Sequence, residues 1–182
     1  MEYFKKVVKE SIIILIISSL LGLISGTVLS LNEEILYSIP IILLTLPALN
    51  SLIGDISIVL VSRLTTHLYI GTIAPEVKKS ARLKEDFIGL FLTIIFSFGT
   101  LMTIGYIFLS IVGKQIVNPF IIIIILSITV LILFVILFII LFIFSIFLFK
   151  KGKDPLILIP LTTSLIDFLT PLLIIILIII FI

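Results

Sequence analysis

The chain has 182 residues, of which 62% are hydrophobic, 12 are basic and 10 are acidic, so its formal net charge is +2. Because soluble domains average roughly 45–50% apolar residues, this composition argues against a soluble fold and predicts an all-α integral membrane protein. At about 20 apolar residues per span, the length accommodates about five transmembrane helices in one membrane domain. The absence of cysteine excludes disulfides, thiolate metal sites and cysteine nucleophiles.

The first predicted helix is an uncharged run over residues 11–31 that follows a basic N-terminal segment. This run is too long for a signal peptide, so we interpret it as a retained helix. Ser18, Gly22 and Gly26 recur every four residues along it. Small residues at this spacing let membrane helices approach closely, which predicts a helix-packing face.

The second predicted helix covers roughly residues 36–69 and contains Pro40 and Pro47. A polar run, residues 46–55, lies in the middle of this apolar span and includes Asn50, Ser51 and Asp55. Interrupted polar segments at membrane depth often form ion sites. We therefore expect a bend and a second intramembrane carboxylate here.

The third and fourth predicted helices cover about residues 85–112 and 120–149. The third has a small and polar face, which we expect to pack against another helix and which could also line a pathway. Asp86 begins that helix, where a carboxylate favours the positive end of the dipole, so capping is its expected role. The fourth is almost uniformly apolar, which favours a peripheral, lipid-facing position. The polar face of the third helix consists of Asp86, Gly89, Thr93, Ser97 and Thr100.

The last predicted helix begins at Pro155, with Asp154 as its N-cap, and carries Asp167 into an apolar tail. A carboxylate at membrane depth is expensive and is by default a functional hypothesis. Thr163, Asp167 and Thr170 follow at positions i, i+4 and i+7, on one face. Proline at 171 removes the usual donor to the Asp167 carbonyl. These oxygens together suit a hydrated cation.

Structural roles for the same side chains stay open at this point. Asp167 could be hydrogen-bonded to a neighbouring helix or paired with Arg63, and Arg63 could also pair with Asp55 on its own helix. His67 is the only histidine, and one histidine cannot form a histidine-cluster metal site. We expect it to lie near the membrane interface.

Orientation follows from the distribution of basic residues. The N-terminal segment has three, the connection 71–86 has four and the turn 150–154 has three. The opposite side has only Lys114, together with Glu33 and Glu34. The sequence therefore predicts a cytoplasmic N-terminus and an extracellular C-terminus. The basic cluster at 78–84 lacks interleaved aromatic residues, so no nucleic-acid partner is expected, whereas attraction to anionic lipid is.

Two motifs resemble the MgtE-type magnesium transporters and their eukaryotic solute-carrier relatives. The first covers residues 47–55 and 62–66, with a proline, an asparagine and then an Arg-Leu pair. The second covers residues 154–167, with Asp-Pro, a second proline, a threonine-rich turn and Asp167. The resemblance covers essentially the whole chain as a single five-helix membrane domain, residues 1–182, without the cytoplasmic N-domain and CBS pair of bacterial MgtE.

The resemblance implies that Asp167 holds a largely hydrated magnesium ion near a dimer axis, with Thr163 and Asp55 near that pathway. Asp55 stands where the family usually has asparagine, which adds a negative charge. The eukaryotic relatives carry two such halves in one chain, so a homodimer would supply the second half here. The expected metal site comprises Asp167, Asp55, Thr163, Asn50, Ser51 and Thr170.

The function expected from these features is transport of a divalent cation, foremost Mg²⁺, across the plasma membrane by a multi-pass protein in the lipid bilayer. Mn²⁺, Co²⁺ and Ni²⁺ suit the same oxygen donors. The alternative is a proton- or ion-coupled transporter of another substrate that uses Asp55 and Asp167 as carriers. An intramembrane enzyme is not expected because the common catalytic motifs are missing. A scaffold without transport would leave both carboxylates without a purpose.

Overall fold

The computed structural model describes residues 2–78, 80–113 and 118–181, and within 2–11 it describes the side chain of Val8 alone. In these ranges the chain is helical and contains no strand. The helices are α1 (Glu2–Leu31), α2 (Glu33–Ser38), α3 (Pro40–Ile70), α4 (Ala81–Val112), α5 (Pro119–Lys150), a 3₁₀ turn (Pro155–Leu158) and α6 (Ile159–Phe181).

Five helical segments in the described ranges are long and apolar enough to cross a membrane, which confirms the predicted all-α class and five spans. They are Ile12–Leu31, Pro40–Ile70, Ala81–Val112, Pro119–Lys150 and Pro155–Phe181. The predicted orientation rests partly on Lys79 and Lys114, which lie outside the described residues, as do the side chains of Lys5, Lys6 and Lys9. The orientation stays a prediction.

The centre of the bundle is formed by α3 and α5, in each of which 50% of the most apolar 18-residue stretch is buried. The corresponding fraction is 17% for α4 and 6% for α1. The predicted peripheral position of the fourth span is therefore wrong, since α5 packs against both α3 and α6. Uniform apolarity does not distinguish lipid from protein neighbours, because lipid tails are as apolar as leucine.

The helical structure is interrupted at Ile39, between α2 and α3, rather than at the polar run. Pro40 begins α3, and the helix then continues unbroken through Pro47 and Gly54. The expected interruption over residues 46–55 is absent. Neighbouring helices and side chains can satisfy the backbone groups that a proline frees in a membrane helix, so Pro47 is tolerated.

The first span lies along α6, and the two helices run in the same direction. Ser18 Oγ donates to the Pro160 carbonyl over 3.1 Å, and seven residues further along each helix Ser25 Oγ donates to the Asp167 carbonyl. Gly22 and Gly26 are exposed, and a Cβ added at either would meet no atom of another described helix within 4 Å. Of the predicted packing face, Ser18 therefore contacts α6, whereas the two glycines are not packed closely against another described helix.

Candidate functional site

A groove of about 530 Å³ lies between α1, α3 and α6. It contains five of the six residues predicted for the metal site. Most of its remaining wall is aliphatic, so the polar groups are concentrated at few positions. Its lining is Leu29, Leu46, Pro47, Asn50, Ser51, Gly54, Asp55, Ile58, Thr163 and Asp167.

The α3 wall presents successive turns of one helix face, because residues three and four apart in a helix are neighbours. Asn50, Ser51 and Asp55 are its polar members. Asp55 is exposed and has no hydrogen-bond or ion-pair partner in the part of the chain that the structure describes. The predicted alternative of an Asp55–Arg63 pair is therefore not formed.

The Asp167 carboxylate is held across the groove by an amide. Asn50 Nδ2 donates to Asp167 Oδ1 over 3.0 Å, which joins α3 to α6. Asp167 itself is exposed to the groove, and no ion pair joins it to a described basic residue. The Asn50 Oδ1 atom is buried and accepts no hydrogen bond. The pair thus leaves one carboxylate oxygen and one amide oxygen uncommitted.

The backbone carbonyl of Asp167 is not available to the groove, contrary to the expectation from Pro171. It accepts the hydroxyl proton of Ser25 from α1. Ser25 was not among the residues predicted for the site. Ser25 follows Ser18 by seven residues, about two helical turns, so both serines lie on one face of α1. This spacing was the sequence pattern that could have pointed to Ser25.

The two threonines of the predicted α6 face have different environments. Thr163 lines the groove, half-buried, and its hydroxyl donates to the Pro160 carbonyl over 3.0 Å. Thr170 is fully buried, donates to the Ile166 carbonyl over 2.8 Å and does not line the groove. Thr163 and Asp167 thus share the groove, whereas Thr170 faces the protein interior.

A second groove, of about 490 Å³, lies between α3 and α4. Most of the polar face predicted on the third span lines it, namely Asp86, Gly89, Thr93 and Ser97. Asp55 lines this groove as well as the first. The unpaired carboxylate therefore lies where the two grooves meet along α3.

Asp86 is the third carboxylate of this region, and its environment is entirely different. Arg63 Nη2 lies 2.6 Å from Asp86 Oδ1, and His67 Nε2 lies 3.4 Å from Oδ2. The Asp86 side chain is only 1% exposed. The expected capping role is wrong, since Ser80 Oγ caps α4 by accepting from the Leu83 amide over 3.1 Å.

In the described ranges no three histidine, cysteine or acidic side chains lie close enough together to hold a metal ion. In one copy of the chain, the first groove therefore contains the carboxylates of Asp55 and Asp167 together with neutral oxygens. Such a donor set suits an ion that keeps much of its water, because Mg²⁺ in proteins usually retains several waters and binds through one or two carboxylates.

Comparisons with known proteins identify the family of the chain. A family model described as MgtE, divalent cation transporter, matches residues 46–177, which include the polar stretch of α3 and Asp167. A search of curated proteins finds no match, and neither does a search of solved structures. Because the matched residues make up well over half of the chain, the protein belongs to the MgtE family of divalent cation transporters.

Proposed function

We propose that this protein transports Mg²⁺ across the plasma membrane and that the groove between α1, α3 and α6 holds the ion in a partly hydrated form. The observation that carries the proposal is the state of Asp167. Its carboxylate lies in an apolar helix, is held by the neutral amide of Asn50 and has no cationic partner among the described residues.

The charge of the groove favours a cation. An ionised carboxylate at membrane depth is costly and is usually paired or functional. Arg63, the basic residue of α3, is engaged by Asp86 and does not neutralise Asp55 or Asp167. A divalent ion that enters the groove would supply positive charge for both carboxylates at once.

The size and oxygen chemistry of the groove favour a hydrated ion. A volume of about 530 Å³ exceeds what a bare ion needs, and a water occupies about 30 Å³ in the liquid, so several waters fit. The hydroxyls of Ser51 and Thr163 would bind these waters, while Asp55 and Asp167 supply the charge. Mn²⁺, Co²⁺ and Ni²⁺ would compete for the same oxygens.

We propose a homodimer with a cytoplasmic N-terminus and an extracellular C-terminus. Two copies related by a two-fold axis beside the groove would place two Asp167 carboxylates around one pathway. This would strengthen selection of divalent over monovalent ions, because attraction grows with the charge of the ion. The meeting of the two grooves at Asp55 would continue the polar route along α3.

The test is a Mg²⁺ titration of the purified protein in detergent, monitored by thermal shift, for wild type and Asp167→Asn. Wild type should be stabilised progressively by Mg²⁺, since a ligand that binds only the folded state raises the melting temperature. Asp167→Asn should lose most of this response. Glu34→Gln removes an exposed carboxylate outside the groove and should respond like wild type.

The second measurement is Mg²⁺ uptake into vesicles that contain the reconstituted protein. Asp167→Ala should reduce uptake by about a hundredfold, the upper part of the range for residues that support a metal. If the vesicles take up no Mg²⁺ but take up another solute in response to a proton gradient, the proposal is contradicted and coupled transport of another substrate is favoured. A wild type with no response to Mg²⁺ or Mn²⁺ would also contradict it.

A further inference from the structure

Asp167 is fixed at two points by two different helices. Asn50 of α3 donates to its carboxylate, and Ser25 of α1 donates to its backbone carbonyl. The second contact exists because proline at 171 has no N–H to donate to the carbonyl four residues earlier. The hydroxyl of Ser25 therefore replaces the missing backbone donor at Asp167, the acidic residue of α6.

The position of Ser25 sets it apart from the rest of α1. It is 5% exposed, whereas most side chains of this helix face outward. A serine or threonine in a helix commonly donates to the carbonyl of its own preceding turn. Thr27 does so, donating to Leu23 over 2.9 Å, whereas Ser25 donates across to α6.

We propose that Ser25 is a positioning residue for the ion site, so that α1 sets the affinity of the groove for Mg²⁺ without contacting the ion. This inference rests on the proposed function of the groove. Helices kink at prolines where the hydrogen-bond ladder is interrupted. With the Ser25 hydroxyl in place, the backbone at Asp167 keeps a fixed direction, and the carboxylate stays opposite Asn50.

Loss of the hydroxyl would take from the Asp167 carbonyl the donor that replaces the missing N–H of Pro171. The backbone at this residue would then no longer be held to α1. The carboxylate of the same residue would move with that backbone. Ion affinity would fall even though neither carboxylate nor amide had been changed.

Ser18 provides a matched control at the same helix interface. Its hydroxyl also donates to a carbonyl of α6, that of Pro160. Unlike the Asp167 carbonyl, this acceptor receives two further hydroxyls, from Thr163 over 3.0 Å and from Ser164 over 3.1 Å. Ser18→Ala therefore removes an interhelical hydrogen bond of the same type without leaving its acceptor unpaired.

The experiment compares Ser25→Ala, Ser25→Thr, Ser18→Ala and the double variant Ser25→Ala/Pro171→Ala with wild type and Asp167→Asn in the Mg²⁺ titration. Ser25→Ala should raise the Mg²⁺ concentration at half-maximal stabilisation about tenfold, the lower end of the effect of residues that orient metal ligands. Ser25→Thr keeps the hydroxyl and should stay near wild type. Alanine at 171 restores the backbone N–H, so the double variant should regain most of the affinity.

The melting temperature without Mg²⁺ is recorded for every variant. If Ser25 only stabilises the fold, Ser25→Ala should lower this temperature and leave the Mg²⁺ concentration at half-maximal stabilisation unchanged. That result for Ser25→Ala, or a folded double variant without recovery, would overturn the inference while leaving the proposed function intact. A wild type that behaves like Asp167→Asn would instead overturn the ion site, and the inference with it.

Discussion

The carboxylates along α3 lie in two contrasting environments. At one end, Asp86 of α4 is buried with a side-chain exposure of 1% and is paired with Arg63, with His67 at 3.4 Å. In the groove, Asp55 and Asp167 are exposed, and neither has a cationic partner among the described residues. The same type of side chain is thus neutralised within the protein in one place and left open in the other.

The difference separates a structural carboxylate from carboxylates that can serve a cargo. A buried ion pair leaves a costly charge behind when one partner is removed, so its loss is felt in stability. An open carboxylate contributes little to stability but attracts a cation that enters the groove. Substitutions in the two regions should therefore affect different measurements.

The largest effect on stability is expected for Arg63→Ala, which leaves Asp86 buried without its guanidinium. Breaking a buried pair typically costs 3–5 kcal/mol, and because the Arg63 side chain is 54% exposed we expect the lower end, about 3 kcal/mol. The measurement is the free energy of unfolding in detergent without Mg²⁺.

Arg82→Ala is the matched control for Arg63→Ala. It breaks the pair with Glu85, in which the nitrogen–oxygen distance is 2.9 Å and the side chains are 60% and 63% exposed. Exposed pairs contribute roughly 0–1 kcal/mol, so this variant should stay close to wild type. Equal losses for the two variants would show that burial does not distinguish these ion pairs, and the contrast with the groove would fail.

The contrast itself was only partly predictable from the sequence. Long apolar runs and the Asp154-Pro155 start gave five spans and the beginning of the last one, since a membrane span is a local property of composition. The five spans and the start of the last one depend on neighbours close in sequence. The position of Asp55 near the pathway of Asp167 was expected only from the resemblance to the MgtE-type transporters, because these residues lie on different helices.

Features that depend on which helices touch were not predictable. The pairing of Arg63 with Asp86 joins residues 23 positions apart on different helices, whereas the sequence had offered Asp55 and Asp167 as partners of Arg63. The uniform apolarity of α5 carried no information on burial, because lipid and protein interior are equally apolar. Pro171 indicated that the Asp167 carbonyl lacks its usual backbone donor. That Ser25 replaces this donor could not be predicted, because Ser25 is distant in sequence and reaches the carbonyl only through the packing of α1 on α6.

Asp55→Asn should sharpen the comparison from the side of the groove. Removing this charge weakens the attraction of the groove for a divalent ion, and waters around the ion reduce the loss, so we expect Mg²⁺ uptake to fall roughly tenfold. Melting without Mg²⁺ should stay unchanged because Asp55 has no partner to lose among the described residues. Asp55→Glu, which keeps the charge, is the control. A clear loss of stability in Asp55→Asn would show that Asp55 has a structural role like that of Asp86.

The smallest effect is expected for Thr163→Val, which tests whether neutral oxygens of the groove act through water. Valine has nearly the same shape but no hydroxyl, and the Pro160 carbonyl keeps the hydroxyls of Ser164 and Ser18. One water-mediated hydrogen bond contributes about 0.5–1 kcal/mol, so the Mg²⁺ midpoint should rise about threefold. Thr163→Ser should remain at the wild-type value. An unchanged midpoint in Thr163→Val would mean that the carboxylates alone hold the ion, whereas a loss as large as that of Asp55→Asn would mean that the hydroxyl contacts the ion directly.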